Sequence, residues 1–323
     1  MATATLRLLA LSSLLAALPS AMAQGQYPAK PVRVIVAFTA GGTTDILARG
    51  IGAQLAERWG QPFVIENRPG AGGNIGTEMA VRAAPDGYTL IVNCVGPIAV
   101  NPTLYRKLGY NPLTDLVPIV QIAEVPNVLV VHPSLPVKSV EELVAYAKAN
   151  PGKLSYGSTG IGTSSHLSGY LLAKRGGFDA VHVPYRGADV LNDLLAGRLQ
   201  FMFATIPSVI QHVRAEKLRA LAVTSLARSR SLPDVPTVAD SGYPGFSAGS
   251  WFGFFAPKGT PDAVIAQINQ AVNESIAVPA VAQQLVREGA DPAGGSPAQF
   301  RDFVQREYEK WRVVVIESGA TVE

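Results

Sequence analysis

Phe38-Thr39-Ala40-Gly41-Gly42-Thr43-Thr44-Asp45 sets glycines and hydroxyls side by side with no Lys or Arg among them. The apolar run 32–37 before it reads as a buried strand. In 46–59 after it, Leu47, Ile51, Leu55 and Trp59 recur every four residues, as on one face of a helix. A glycine-rich turn from strand to helix leaves the first backbone N–H groups of the helix free, and such groups hold anions without a cation. The arrangement recurs: 153–156 reads as a short strand, 157–165 as a hydroxyl-rich loop and 166–175 as a helix. Two such cradles predict a small anion gripped from two sides. Each loop by itself also reads as an ordinary glycine-containing turn of an α/β fold. One helix terminus supplies about 0.3–1 kcal/mol and a hydrogen bond to a charged group roughly 1.5–3 kcal/mol. Micromolar binding needs about 8 kcal/mol net of ordering costs, which two converging cradles reach more readily than one.

Other chemistries fit less well. Neither loop is a P-loop, because no Gly-Lys-Ser/Thr follows, and 160–165 lacks the third glycine and the acidic residue of a dinucleotide fingerprint. Asp45 reads as a first-turn carboxylate that complements the helix dipole and pairs with Arg49 at i+4, rather than as a catalyst. His132, His166, His182 and His212 form no i+3 or i+4 pair with another ligand, so no metal is expected. His166 opens the second helix, either near the ligand or as a structural residue. Ser164, Ser165 and His166 are too close in sequence for a nucleophile and its base, and there is no Gly-x-Ser-x-Gly elbow. Cys94 ends a strand, where its backbone would line a cleft and its thiol would act as a small apolar group. Arg186, at another strand end, either counters a ligand carboxylate or lies on the surface.

The elements that must position these loops follow from length and pattern. A chain of 323 residues with 48% hydrophobic residues can bury two α/β domains sharing a cleft. A net charge of +3, with scattered Lys and Arg, does not point to nucleic acid. Arg7, the apolar run 8–18 and Ala21-Met22-Ala23 read as an export leader cleaved after Ala23, with an N-terminal helical anchor as the alternative. One cysteine, Cys94, allows no internal disulfide. Strands are expected at 63–66, 88–94, 128–131, 180–183, 200–204, 218–224 and 250–256, with helices at about 75–83, 139–149 and 188–196 and three more at the end. Ser139 to Glu142 is a capping box, and Pro261, Pro279 and Pro297 sit at first helical positions, with Thr260 and Ser296 as caps. The alternation of strand and helix predicts mainly parallel sheets, and 97–117 reads as an extended surface connection.

With these residues in hand, the chain resembles the substrate-binding receptors of tripartite tricarboxylate transporters, the Bug (TctC-like) family. The resemblance runs through Tyr27-Pro28-Ala29-Lys30-Pro31, Gly41 to Asp45, Glu66 to Gly73, Pro85 to Leu90, Gly160 to Leu167, His182 to Gly187, Leu218 to Thr224, Leu232 to Thr237 and Lys310-Trp311. It implies an α/β, type II periplasmic-binding-protein fold. Two α/β domains, 24–125 with 246–323 and 126–245, are joined by two crossing strands around a ligand cleft. It further implies a periplasmic, non-enzymatic monomer with no cofactor, which delivers a small carboxylate to membrane permease subunits. Carried onto this chain, ligand contacts fall on Phe38, Thr39, Gly41, Gly42, Thr43 and Thr44, and on Ser158, Thr159, Gly160, Gly162 and Thr163.

Two departures bear on the ligand. Ala37, Thr39 and Ala40 stand where many relatives have prolines, and Ala204 with Thr205 follows Phe201-Met202-Phe203 where many have Asp. An Asp there would suit an ammonium group. Its replacement by Ala204 is expected to remove charge and add space, favouring a dicarboxylate or aromatic carboxylate, terephthalate-like or aliphatic, over an amino acid. Ala40, Cys94, His166, Ala204 and Thr205 complete the expected site. The competing readings are a secreted hydrolase of small esters and a sensory subunit that presents bound ligand.

Overall fold

The computed structural model describes residues 27–318 and 321–322, so the leader expected at 1–23 lies outside the described residues. One sheet holds β1 (Val32–Val36), β2 (Phe63–Asn67), β3 (Thr89–Cys94), β4 (Leu116–Val125), β10 (Ser250–Pro257) and β11 (Asp291–Gly294). The other holds β5 (Asn127–Val131), β6 (Ser155–Ser158), β7 (Val181–Pro184), β8 (Phe201–Thr205) and β9 (Arg219–Val223). Their strand orders are β11-β4-β10-β3-β1-β2 and β7-β6-β8-β5-β9. The helices are α1 (Thr43–Trp59), α2 (Asn74–Val81), α3 (Asn101–Leu104), α4 (Pro112–Asp115), α5 (Val140–Ala149) and α6 (Ser164–Gly176). They continue with α7 (Val190–Leu195), α8 (Ile206–Arg214), α9 (Asp262–Ala277), α10 (Pro279–Arg287) and α11 (Pro297–Ser318). No described helix is long and apolar enough to cross a membrane.

Local chemistry sets the boundaries. Val34, Ile35 and Val36 are fully buried, as an unbroken apolar run between two parallel neighbours must be. Gly60 ends α1 in the left-handed region at φ 65°, returning its N–H to the Ala56 carbonyl. Ser139 caps α5 by accepting the Glu142 N–H, but Glu142 accepts from the Lys138 N–H rather than closing the box on Ser139. The reciprocal box forms instead at α11, between Ser296 and Gln299. Pro261 precedes α9 as its cap, and the Thr260 hydroxyl donates to the Pro257 carbonyl instead of capping the helix.

The sheets are mixed rather than mainly parallel. β1 is parallel to β2 and β3, but β10 runs antiparallel to β3 and β4, and β11 to β4. In the second sheet β6 is parallel to β7 and β8, while β5 is antiparallel to β8 and β9. The cause is connectivity: the chain leaves the first sheet along β4 straight into β5 and returns along β10. The segment 97–117 is not a surface connection. Gly96–Val100 forms a buried π-helical turn packed against α11, α3 and α4 follow, and β4 begins at Leu116. Val95, Ile98, Val100 and Leu104 carry that segment into the core. Neither α8 nor β11 was among the expected elements.

The two crossings touch. Built onto Gly249, a Cβ would lie 3.3 Å from the Val125 carbonyl oxygen, so the return segment runs against the outgoing one. Asn127, fully buried, fastens them. Its Nδ2 donates to the Ala248 carbonyl at 2.9 Å and to Ser168 Oγ at 3.1 Å, and its Oδ1 accepts from Ser164 Oγ at 3.3 Å. Asn127→Ala strands buried partners and is expected to lower unfolding free energy by about 2–3 kcal/mol in urea denaturation; an unchanged midpoint would show the crossings are held otherwise.

Candidate functional site

The first cradle is braced from below. β1 delivers the chain to Phe38, and Gly41 takes φ +80° so that its N–H turns back to Asp45 Oδ2 at 3.0 Å. Asp45 also accepts from Asn67 Nδ2 at 3.0 Å and from Arg49 Nε at 3.0 Å, and Asn67 donates to the Phe38 carbonyl. Burial pushes the Asp45 carboxyl up, but Arg49, the Gly41 N–H and Asn67 together hold it below the ordinary value. Asp45 is thus the strut of the loop. No side chain caps α1 at Gly42, so its first N–H groups face outward.

The second cradle is braced by a stack of rings. Ser158 closes β6, and Gly160 and Gly162 adopt φ +137° and +80°. Thr163 caps α6 by accepting the His166 N–H and donates its own hydroxyl to the Gly160 carbonyl at 2.7 Å. His166 Nδ1 accepts from the Gly162 N–H at 3.3 Å, and His182 Nε2 lies 2.7 Å from Ser158 Oγ. The two imidazoles stack at 4.1 Å, and Tyr156 lies on the far face of His182 at 4.9 Å. Burial pushes His166 down to about 4. Burial and then the neighbouring imidazole push His182 down to about 3.

Between the cradles lies a cavity of about 50 Å³. Phe38, Gly42, Thr43, Thr44 and Cys94 line it from the first sheet, with Ser250 and Phe252 of β10. Thr159, Thr163, Ser164, Gly187, Ala188 and Thr205 line it from the second. Three helices, α1, α6 and α8, start at this cavity, each presenting roughly half a positive charge. Among the described residues, none of the lining side chains is charged, and burial pushes the Cys94 thiol up to about 12, so these walls are neutral. At the cradles, hydrogen bonds cross from one side to the other: Thr43 Oγ1 meets Thr205 Oγ1 at 2.7 Å, and the Ala188 N–H donates to Thr39 Oγ1 at 2.8 Å.

Of the expected site residues, Phe38, Gly42, Thr43, Thr44, Cys94, Thr159, Thr163 and Thr205 share this lining. Thr39, Ala40, Gly41, Ser158, Gly160, Gly162 and His166 shape or flank the loops without lining it. Ala204 requires a correction. It is fully buried among Val128, Met202, Ile206 and Val209, on the opposite face of β8 from Phe203, so it adds no space to the cleft. Thr205 holds the cavity position instead. Ser164, Gly187, Ala188, Ser250 and Phe252 were not expected. The first two sit inside motifs already singled out, whereas Ser250 and Phe252 carry no local signal. A larger depression of about 290 Å³ also borders Ser250, but Glu124, Asp291 and Glu307 outnumber Lys310 in its lining, which disfavours an anion.

The geometry has counterparts. The family model described as "Tripartite tricarboxylate transporter family receptor" matches residues 47–320. A solved structure from R. palustris, Rpa4515 with adipate, is 40% identical, covers 92% of this chain and 100% of its own, and superposes with a TM-score of 0.90. The periplasmic binding protein BugD is 35% identical, with 92% and 100% covered and a TM-score of 0.88. MatC from Rhodopseudomonas palustris with bound malate is 34% identical, with 90% and 100% covered and a TM-score of 0.85. A match over most of its length, with a cavity built on helix starts, assigns the chain: it belongs to the tripartite tricarboxylate transporter receptor family.

Proposed function

We propose that the chain is exported to the periplasm, loses residues 1–23 after Ala23, and works as a monomeric receptor. It captures a small dicarboxylate or aromatic carboxylate and passes it to the membrane permease subunits of a tripartite tricarboxylate-type transporter. The observation that carries this reading is the convergence of three helix starts on a cavity with neutral walls. Adipate and malate in two similar proteins are ligands of the same chemistry. Among the described residues no carboxylate lines the cavity, which favours an anion over the ammonium group of an amino acid. The working division is into two lobes, 24–125 with 246–323 and 126–245. We move the second boundary to Gly249, because Phe246 stacks on Phe203 of the second sheet. Ligand contacts are assigned to Thr43, Thr44, Thr163, Ser164 and Thr205 and to the free N–H groups beside them.

One observation bears on the hydrolase reading: Ser158 and His182 are within hydrogen-bond distance. Ser158 is fully buried and its hydroxyl is engaged with Gly160. His182 at about 3 is a poor base for chemistry near neutral pH, and Tyr156 and His166, not a carboxylate, flank it. The pair is read as a brace for the loop. A sensory role would use the same cleft, and pull-down against permease and receptor-kinase membranes would separate the two.

Three outcomes are expected. Calorimetry against adipate, malate, citrate, terephthalate and amino acids gives micromolar binding for at least one carboxylate; binding of amino acids alone would overturn the ligand class. Thr43→Val weakens that carboxylate about tenfold or more, as the loss of a hydrogen bond to a charged group requires, and unchanged affinity would remove the Thr43 hydroxyl from the contact set. The third concerns acid. His166 and His182 fall from an ordinary 6.5 to about 4 and about 3 in the folded chain, so below 6.5 the unfolded chain binds protons that the folded one does not. Their contribution to stability is complete above about 6.5 and is lost progressively as pH falls toward 4 and 3. Melting temperature should therefore drop between pH 7 and 5, and less steeply in His182→Gln; equal slopes would remove the histidine pair from the acid response.

A further inference from the structure

Thr39 is half-buried, and its hydroxyl does not line the cavity. It accepts the Ala188 N–H across the cleft at 2.8 Å. Both ends of this bond are anchored in a cradle. The Thr39 carbonyl accepts from the Gly42 N–H in the first, and the Gly187 N–H donates to the Thr159 carbonyl in the second. The approach is close enough to dictate the residue opposite. A Cβ on Gly187 would lie 2.5 Å from Thr39 Oγ1 and 2.9 Å from its backbone nitrogen, and Gly187 has φ +69°. Away from the crossings, other polar bonds between the two sides join Arg214 to the Arg287 carbonyl, Arg230 to Asp291 and Lys174 to the Glu317 carbonyl, and all three are exposed. Asp291 lines the separate depression beside the crossing segments and not the cavity between the cradles.

We propose that Thr39 is a positioning residue that latches the cleft: its hydroxyl, bound to the Ala188 N–H, holds the two sides together without touching the ligand. The latch rests on the proposed function, in which a ligand is taken up between the two sides and must leave from between them. It governs how often the cleft opens, and through that the rate at which a ligand leaves. Thr43 and Thr205 differ from it, because their hydroxyls face the cavity and a ligand competes for them.

The test is amide exchange at Ala188 in the purified, ligand-free protein, followed by NMR, with the Val34 amide of β1 as the internal reference. Thr39→Val keeps the shape and removes the acceptor, whereas Thr39→Ser keeps the acceptor. Ala188 is expected to exchange about fivefold faster in Thr39→Val, as the loss of one net hydrogen bond implies, with Thr39→Ser close to wild type and Val34 unchanged. Equal Ala188 rates in wild type and Thr39→Val overturn the latch. So does exchange of the wild-type amide at the rate of a free peptide, and so does equal acceleration of Val34, which would mark general destabilisation. With adipate as probe, Thr39→Val should raise the dissociation rate about fivefold while association changes less. Failure of every tested carboxylate to bind wild type would sink the proposed ligand class but leave the exchange contrast standing, so the two readings fail separately.

Discussion

One buried amide governs the geometry of this protein. Asn127 stands where β4 passes into β5, and its side chain reaches the returning strand at Ala248 and the first turns of α6 at Ser164 and Ser168. A buried amide must satisfy its donors and acceptor locally, so this side chain specifies the spacing of the two crossings and the placement of α6 together. The cavity inherits that spacing. Ser250 and Phe252, at the start of the returning strand, form part of its wall, and Ser164 contributes from α6. The pivot and the binding surface therefore adjoin and share Ser164.

Around this pivot the cradles are rigid for different reasons. The first depends on a charged strut, Asp45, satisfied by Arg49, Asn67 and a backbone N–H. The second depends on neutral rings, with Tyr156, His182 and His166 in one stack beneath the loop. In both, the bracing side chains, Asp45, Asn67 and Arg49 in the first and the ring stack in the second, lie outside the cavity lining. Backbone N–H groups and hydroxyls face into it. This separation leaves the helix termini among buried residues, where their partial charges count for more than in bulk water.

The sequence made the cradles legible because each is local: a strand, a glycine-rich turn and a helix within about 30 residues leave a pattern. It made α11 legible through Ser296 and Pro297, and the brace at Asp45 through Arg49 one turn on. It did not show what depends on distant pairing. The antiparallel course of β10 follows from the crossings, and no feature of 250–257 announces it. The segment 97–117 reads as a surface connection because its Pro, Asn and Gly resemble loop residues, whereas Ile98, Val100 and Leu104 carry it inward. Ala204 shows how unforgiving strand parity is: it and Thr205 are neighbours on one strand, yet one packs in the core and the other lines the cavity. Gly187 and Ala188 lie far along the chain from Thr39, and only the folded arrangement brings the loops together.

The neutral walls of the cavity also bear on the end of the binding cycle. A carboxylate held by a lysine or arginine leaves an unpaired buried cation behind when it departs, and that cation resists the departure. Here the groups left behind are amides, hydroxyls and helix ends, all of which water can serve as soon as it enters. The emptied cavity carries no stranded charge, so under the proposed function no ion pair has to break for a carboxylate to leave.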